Sequence, residues 1–190
     1  LYAQLRDDPS RACVRMTYHR GVLDLMSPSG PHERICRLLE LLVAEWCVQH
    51  RIARATFGST TYRREDLQSG LEPDACFYIE HEADVRDHEE IDLAIQPPPD
   101  LALEVEISRS AAGRLAIYAE MGVPEVWRTD GEVLRMFRLD DQETYREVRE
   151  SQALPGLKPD DLCRFLALRT EVDESTLTIQ FREWMSGGAR

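Results

Sequence analysis

The stretch PDLALEVEIS, Pro99 to Ser108, decides how this chain folds. It is apolar enough for a buried strand, yet it carries two glutamates, Glu104 and Glu106. Side chains on a strand alternate between faces. Leu101, Leu103, Val105 and Ile107 therefore share one face, and Ala102, Glu104, Glu106 and Ser108 share the other. With ~3.3 Å of rise per residue, the two carboxylates sit ~6–7 Å apart. Either that face is the wet side of an antiparallel sheet, where acids cost little, or two like charges are held together for a purpose.

The flanks set the class. Upstream, IQPPPD has three prolines, which exclude regular structure and mark the entry to the strand. Downstream, SRSAAGRLAIYAEMGVPEVW predicts a helix with Ser110 as N-cap and Gly122 and Pro124 at its end. EVWRT, EVLRMFRL and ETYREVRE then form a β-meander, joined at Asp130-Gly131 and Asp140-Asp141-Gln142. Further upstream, VRMTYHRGVLDLM is a hairpin around His19-Arg20-Gly21. Pro31 suits a first helical turn. Ile35, Leu38, Leu39, Leu42, Val43, Trp46 and Cys47 repeat at helical spacing, so a helix is expected from about Pro31 to His50. RIARATFGS, TTYRRED and LEPDACFYI have strand character. LPGLKPDDLCRFL is a turn leading into a short helix, residues 172–185 fit a strand or a helix, and GGAR is a loose tail. Strands mixed with a helix before and a helix after the acidic stretch predict α/β or α+β. One domain is expected over residues 1–190, with an N-terminal hairpin and a C-terminal helical or strand appendage.

Composition narrows the partners. The chain starts at Leu1, as a fragment would, and shows no signal-peptide pattern or membrane-length apolar run. Cys13, Cys36, Cys47, Cys76 and Cys163 make no CxxC pair, so they read as reduced thiols in a cytoplasmic protein rather than as a zinc site. The net charge of −12 disfavours a nucleic-acid surface. Glu80 to Asp92 holds seven acids and one arginine and reads as a solvated segment. Arg51, Arg54, Arg63 and Arg64 form a modest basic cluster that could meet phosphates.

A third acid changes the weight of the first two. Asp74 follows Pro73 at a strand entry; alone it would be a turn residue. If its strand pairs with Leu101–Ile107, Asp74, Glu104 and Glu106 converge. Three unpaired buried carboxylates would repel one another and hold their protons. A hard divalent cation with oxygen ligands removes the difficulty, so Mg²⁺ or Mn²⁺ is expected. A phosphate-cleaving site also needs a cation against developing charge, and Arg114, on the helix after the strand, is the candidate. Without a site, it would be an arginine along a helix surface. His32, beside Ile35 and Leu39, reads as a packed histidine; Tyr118 and Trp127 read as core aromatics.

RGVLDLMSPSGPHERICRLLELL, GSTTYRRED, GLEPDACFYI, PPPDLALEVEIS, RLAIYAEMGVPEVWRTDG and LPGL together resemble the Uma-two family of restriction-endonuclease-like proteins, within the PD-(D/E)xK nucleases. The resemblance runs from about Tyr18 to about Leu166. It implies a restriction-endonuclease-like core, a mixed sheet flanked by helices, and a metal-dependent endonuclease acting on DNA. Asp74 stands at the metal-binding aspartate and Glu104 at the first acid of the D/E-x-K element. The Val105 carbonyl would complete the metal shell, and Glu33 is a candidate extra ligand from the first helix. Glu106 occupies the lysine position, and Arg114 stands where family members carry a displaced lysine or similar base. An arginine effectively cannot give up its proton. Water activation then falls to the metal or to Glu106, or Glu106 binds a second ion. The alternatives are a catalytically degenerate binding or dimerisation module and a hydrolase of another phosphate ester. Nucleases of this fold often act as dimers, so a homodimer is plausible.

Overall fold

The computed structural model describes residues 15–58, 62–64, 69–107 and 113–187. Strand β1 (Arg15–His19) and strand β2 (Val22–Met26) form the expected hairpin, with His19 opposite Val22. Its two-residue loop, Arg20-Gly21, has φ of 45° and 92°. Positive φ at both positions marks the turn whose twist suits a tight hairpin, and glycine adopts it freely. Helix α1 (Gly30–His50) starts at Ser29, whose side chain accepts from the His32 N–H, and Pro31 sits in its first turn. Its buried residues include all seven of the periodic set, Ile35 to Cys47.

Short strands follow: β3 (Ala55–Thr56), β4 (Tyr62–Arg64), β5 (Ser69–Leu71) and β6 (Ala75–Tyr78). Helix α2 (Glu82–Val85) lies in the acidic segment, whose residues are mostly exposed although Glu82 and Val85 are buried. Then come β7 (Leu101–Val105), α3 (Arg114–Glu120), β8 (Glu125–Thr129), β9 (Leu134–Leu139) and β10 (Tyr145–Val148). Gly122, at φ 76°, turns the chain out of α3. Ser110, expected as its N-cap, lies outside the described residues, as do Ser108, Cys13 and residues 188–190; the described helix begins after Gly113. Helix α4 (Pro159–Ala167) follows the predicted turn. The ambiguous C-terminal segment is a helix, α5 (Glu174–Gly187).

Among the described residues the strands make two sheets. The smaller runs β2-β1-β5-β4, the larger β10-β9-β8-β7-β6-β3. In the larger, β7 and β8 are parallel and the other neighbours antiparallel, a mixed sheet. Alternation along β7 divides the interior. Leu101, Leu103 and Val105 join Phe77, Trp127 and Met136 under Leu38, Leu39 and Leu42 of α1. Phe165 of α4 and Phe181 of α5 close this core, with rings edge to face at 4.9 Å. Ala102, Cys76 and Val126 look the other way, against Ile117, Tyr118 and Met121, and Tyr62 and Leu71 of the small sheet complete that second core. The sheet is therefore covered on both faces. The wet-face explanation for Glu104 does not hold, because that carboxylate is buried beneath α3. Ile107 does not continue the apolar face either; it lies past the strand and is exposed.

Candidate active site

Strand pairing brings two of the predicted acids together. β6 and β7 run antiparallel with Ala75 opposite Leu103, and extending that register by one residue sets Asp74 opposite Glu104. The Asp74 N–H donates to the Leu103 carbonyl at 3.1 Å. Its carboxylate Oδ2 accepts from the Val105 N–H at 2.6 Å. Asp74 thus caps the end of the ladder through both main chain and side chain. Asp74 and Glu104 are 0% and 1% exposed.

Buried carboxylates need partners, and here those partners are cations on separate elements. Asp74 Oδ1 accepts from Arg15 of β1, whose other nitrogen donates to Glu33 Oε1 at 2.9 Å. His32 of α1 meets Asp74 Oδ2 through Nε2 at 3.1 Å. Glu104 accepts from Arg114 and from the Tyr118 hydroxyl, one turn apart on α3. Arg114 is fixed further by Thr17 Oγ1 at 2.7 Å and by the Glu72 carbonyl at 3.2 Å. Glu106, just past the strand, is gripped by both forks of Arg128 at 2.6 and 2.7 Å. Glu33 is half-buried and reaches Arg15 rather than a shared ion position.

Burial pushes the Glu104 carboxyl above its usual range, and Arg114 and Tyr118 pull against that. For Arg114, burial works against the charge, but Glu104 outweighs it and the guanidinium stays firmly protonated. Tyr118 rises well above an ordinary phenol, from burial and from the adjacent Glu104, so it remains a donor. His32 is lowered by burial and by Arg15. A neutral imidazole facing a carboxylate at Nε2 carries its proton there. Its Nδ1 is then left without a hydrogen-bond partner.

A cleft of about 310 Å³ opens beside this array. Arg15, Thr17, His32, Glu104, Val105 and Arg114 are among its lining residues, with the exposed Asp24 at its rim. Asp74 is not on its wall; it lies under Arg15 and His32. Sequence reasoning found Asp74, Glu104, Val105, Glu106 and Arg114 in this neighbourhood. It missed Arg15, Arg128 and the polar contacts of His32 and Tyr118, which it took for packing. One signal was present: Arg15, Thr17 and His19 alternate with Met16 and Tyr18, so β1 has a polar face.

The donor set can be tested against a divalent ion. Among the described residues no three of His, Cys, Asp or Glu come together to hold one. Two carboxylates and the Val105 carbonyl are what this end of β7 offers. Mg²⁺ commonly takes one or two carboxylates and fills its shell with water and substrate oxygens. An ionised carboxylate has about four acceptor positions; Asp74 uses three and Glu104 two. The donor chemistry fits such an ion, although arginine nitrogens currently hold both acids.

A helix-flanked mixed sheet with a Pro-Asp corner opposite a strand glutamate defines a restriction-endonuclease-like core. The Uma2 family model, described as "Putative restriction endonuclease", matches residues 2–171, and the chain belongs to that family. A crystal structure of "a putative nuclease belonging to DUF820" from Anabaena variabilis superposes with a TM-score of 0.58 at 16% identity, covering 80% of this chain and 90% of that one. At that identity the likeness shows the fold. A search among curated proteins found no match. No helix among the described residues is long and apolar enough to cross a membrane.

Proposed function

We propose that this chain is a metal-dependent endonuclease that hydrolyses DNA phosphodiester bonds. The observation that carries this is the pair of buried acids, Asp74 and Glu104, opposed across β6 and β7 beside a cleft that also presents Arg114. Asp74, Glu104 and the Val105 carbonyl would hold Mg²⁺ or Mn²⁺. Bound there, the ion would supply an activated water and a Lewis acid for the phosphate. Arg114 would face the phosphate as a fixed cation, since a guanidinium cannot serve as a base. Tyr118 keeps Glu104 oriented. Glu106 is the weaker candidate for water activation, because Arg128 occupies both its oxygens.

The test is cleavage of single- and double-stranded DNA in Mg²⁺ and Mn²⁺ by the wild type and by Glu104→Gln. Metal-dependent cleavage lost in the variant supports the proposal. Cleavage of nucleotides but not DNA would move the protein to another phosphate ester, which its −12 charge would suit. A folded wild type inert toward all of these would favour a second reading, a non-catalytic binding module. The arginine on every acid, the glutamate at the lysine position and Arg114 at the displaced one favour that second reading. We also place the protein in the cytoplasm, as free Cys36, Cys47, Cys76 and Cys163 would suit. A homodimer would let two clefts address two strands, and sedimentation would test it.

A further inference from the structure

Arg15 comes from strand β1 and Arg114 from helix α3, yet they do the same thing. Each lines the cleft, each is nearly or largely buried, and each donates to one of the two buried acids. Arg15 also stands between Asp74 and the cleft, since Asp74 is reached only beneath it and His32. An ion approaching either acid therefore meets a guanidinium already in place. A divalent ion and a guanidinium repel, and at close range in a poorly solvated site they cannot both press on one carboxylate.

Charge sets the order of binding. Glu33, Asp74, Glu104 and Glu106 face Arg15, Arg114 and Arg128, and Arg37 links Glu33 to Glu40, five negative groups against four positive ones. His32 adds no charge when neutral, and exposed Asp24 at the rim adds one more negative group. With Asp24 the site carries an excess of two negative charges and repels a phosphodiester. A divalent ion cancels that excess, and a phosphodiester anion is then no longer repelled.

We propose that Arg15 and Arg114 are exchangeable counter-ions: each holds an acid until a divalent ion takes that acid, and then turns to a phosphodiester anion in the cleft. Metal and phosphodiester therefore bind cooperatively, each removing the obstacle to the other. The flexible stems allow the exchange. Thr17 Oγ1, bonded by two nitrogens of Arg114, is a pivot that need not be released. Asp74 keeps two other donors, His32 and the Val105 N–H, when Arg15 leaves. This inference rests on the proposed metal-dependent activity but concerns binding, so it is read without turnover.

The experiment titrates Mn²⁺ into the full chain by calorimetry, alone and with thymidylyl-thymidine, a dinucleoside phosphate. Its methylphosphonate analogue, of the same shape but uncharged, is the control. The expected result is that the anionic dinucleotide tightens Mn²⁺ binding roughly tenfold, within the common range of coupling, and that Mn²⁺ tightens the dinucleotide by the same factor. The methylphosphonate should give no tightening. Arg15→Met and Arg114→Met should each bind Mn²⁺ alone more tightly than the wild type and lose most of the coupling. Unchanged Mn²⁺ affinity in the presence of the dinucleotide would overturn the exchange while leaving the metal site standing. So would methionine variants that bind Mn²⁺ no better than the wild type. Absence of Mn²⁺ binding in the wild type and both variants would overturn the exchange and the metal-dependent reading together. Should the methionine variants fail to fold, the wild-type comparison of phosphate with methylphosphonate decides alone.

Discussion

The parallel pair β7–β8 buries a carboxylate at each of its ends, and only one end adds arginines to its donors. At the starting end, Glu125 lies opposite Leu101 and accepts from Trp127 Nε1 at 2.5 Å and from the Gln152 and Ala153 N–H groups at 2.7 and 3.0 Å. Asp100, just before β7, likewise takes the Ile79 and His81 N–H groups, with the His81 ring nitrogen at 2.6 Å from its other oxygen. At the finishing end, Glu104 and Asp74 each also take a long cationic side chain, Arg114 from α3 and Arg15 from β1, beside the Tyr118 hydroxyl for Glu104 and the Val105 N–H and His32 for Asp74. Backbone amides cannot leave without unfolding a loop. Guanidinium groups can swing away on flexible stems. The difference separates a carboxylate that pins structure from one whose partners are free to change.

The largest effect should come from the finishing end. Arg114→Ala removes a preorganised cation from the cleft, and metal-dependent DNA cleavage should fall roughly 10²–10³-fold. Arg114→Lys should retain part of the rate, because the charge survives although the planar fork is lost. Steady-state cleavage by the three proteins measures this. Equal rates in the alanine variant would reduce Arg114 to an internal counter-ion for Glu104.

At the other end the effect should fall on stability. Glu125→Ala leaves the buried Trp127 Nε1 and the part-buried Gln152 and Ala153 N–H groups without their acceptor, and an orphaned buried group costs about 1–3 kcal/mol. Urea denaturation should show a loss on the order of 3 kcal/mol, with cleavage per folded molecule unchanged. A variant that stays stable but loses cleavage would erase the distinction between the two ends.

Metal linkage sharpens it further. Mn²⁺ at about a hundredfold excess over its dissociation constant should add ~2.7 kcal/mol to folded-state stability. For a chain of this size that is roughly 5–10 °C in Tm. Glu104→Ala should abolish the rise, while Glu125→Ala, though less stable, should keep it.

The smallest effect concerns an exposed carboxylate of the amide-held kind. Asp130 accepts from the Glu132 and Val133 N–H groups at 2.9 and 2.8 Å, and these hold its carboxyl below the usual value of 3.8. A lowered folded-state pKa means the unfolded chain binds the proton more readily. The contribution is therefore present above pH 3.8 and is lost as pH falls below it. Asp130→Asn should flatten the acid limb of the stability curve there. A wild-type curve matched by the variant would mean that the turn does not discriminate the charge.

Much of this was legible in the residues. The prolines at 97–99 and the alternation after them placed β7, and the seven apolar positions from Ile35 to Cys47 placed α1, because both patterns are local. The approach of Asp74 to Glu104 was legible on condition that their two strands pair, and they do. What could not be read was how the acids are neutralised. A three-carboxylate cluster was expected to need a metal to relieve its repulsion, but each acid has its own arginine. Arg15 lies 59 residues from Asp74, and no local pattern reports a pairing across that distance. Tyr118 was assigned to the core, which is correct for its ring, while its hydroxyl does the polar work. His32 is buried, as a packed histidine should be, but its apolar helix face also carries one nitrogen to a buried acid.

Helix α3 has a practical meaning of its own. Both donors to Glu104 sit four residues apart on a segment of seven residues, Arg114–Glu120, which lies outside both sheets, with Arg114 also bonded to Thr17 and the Glu72 carbonyl. That makes it a cartridge. Positions 114 and 118 can be rewritten as a pair, with Ile117 and Met121 left as the fastening to the sheet, to install a lysine, a histidine or two neutral groups beside the same glutamate. A small library confined to those two positions would survey alternative chemistries on one unaltered scaffold.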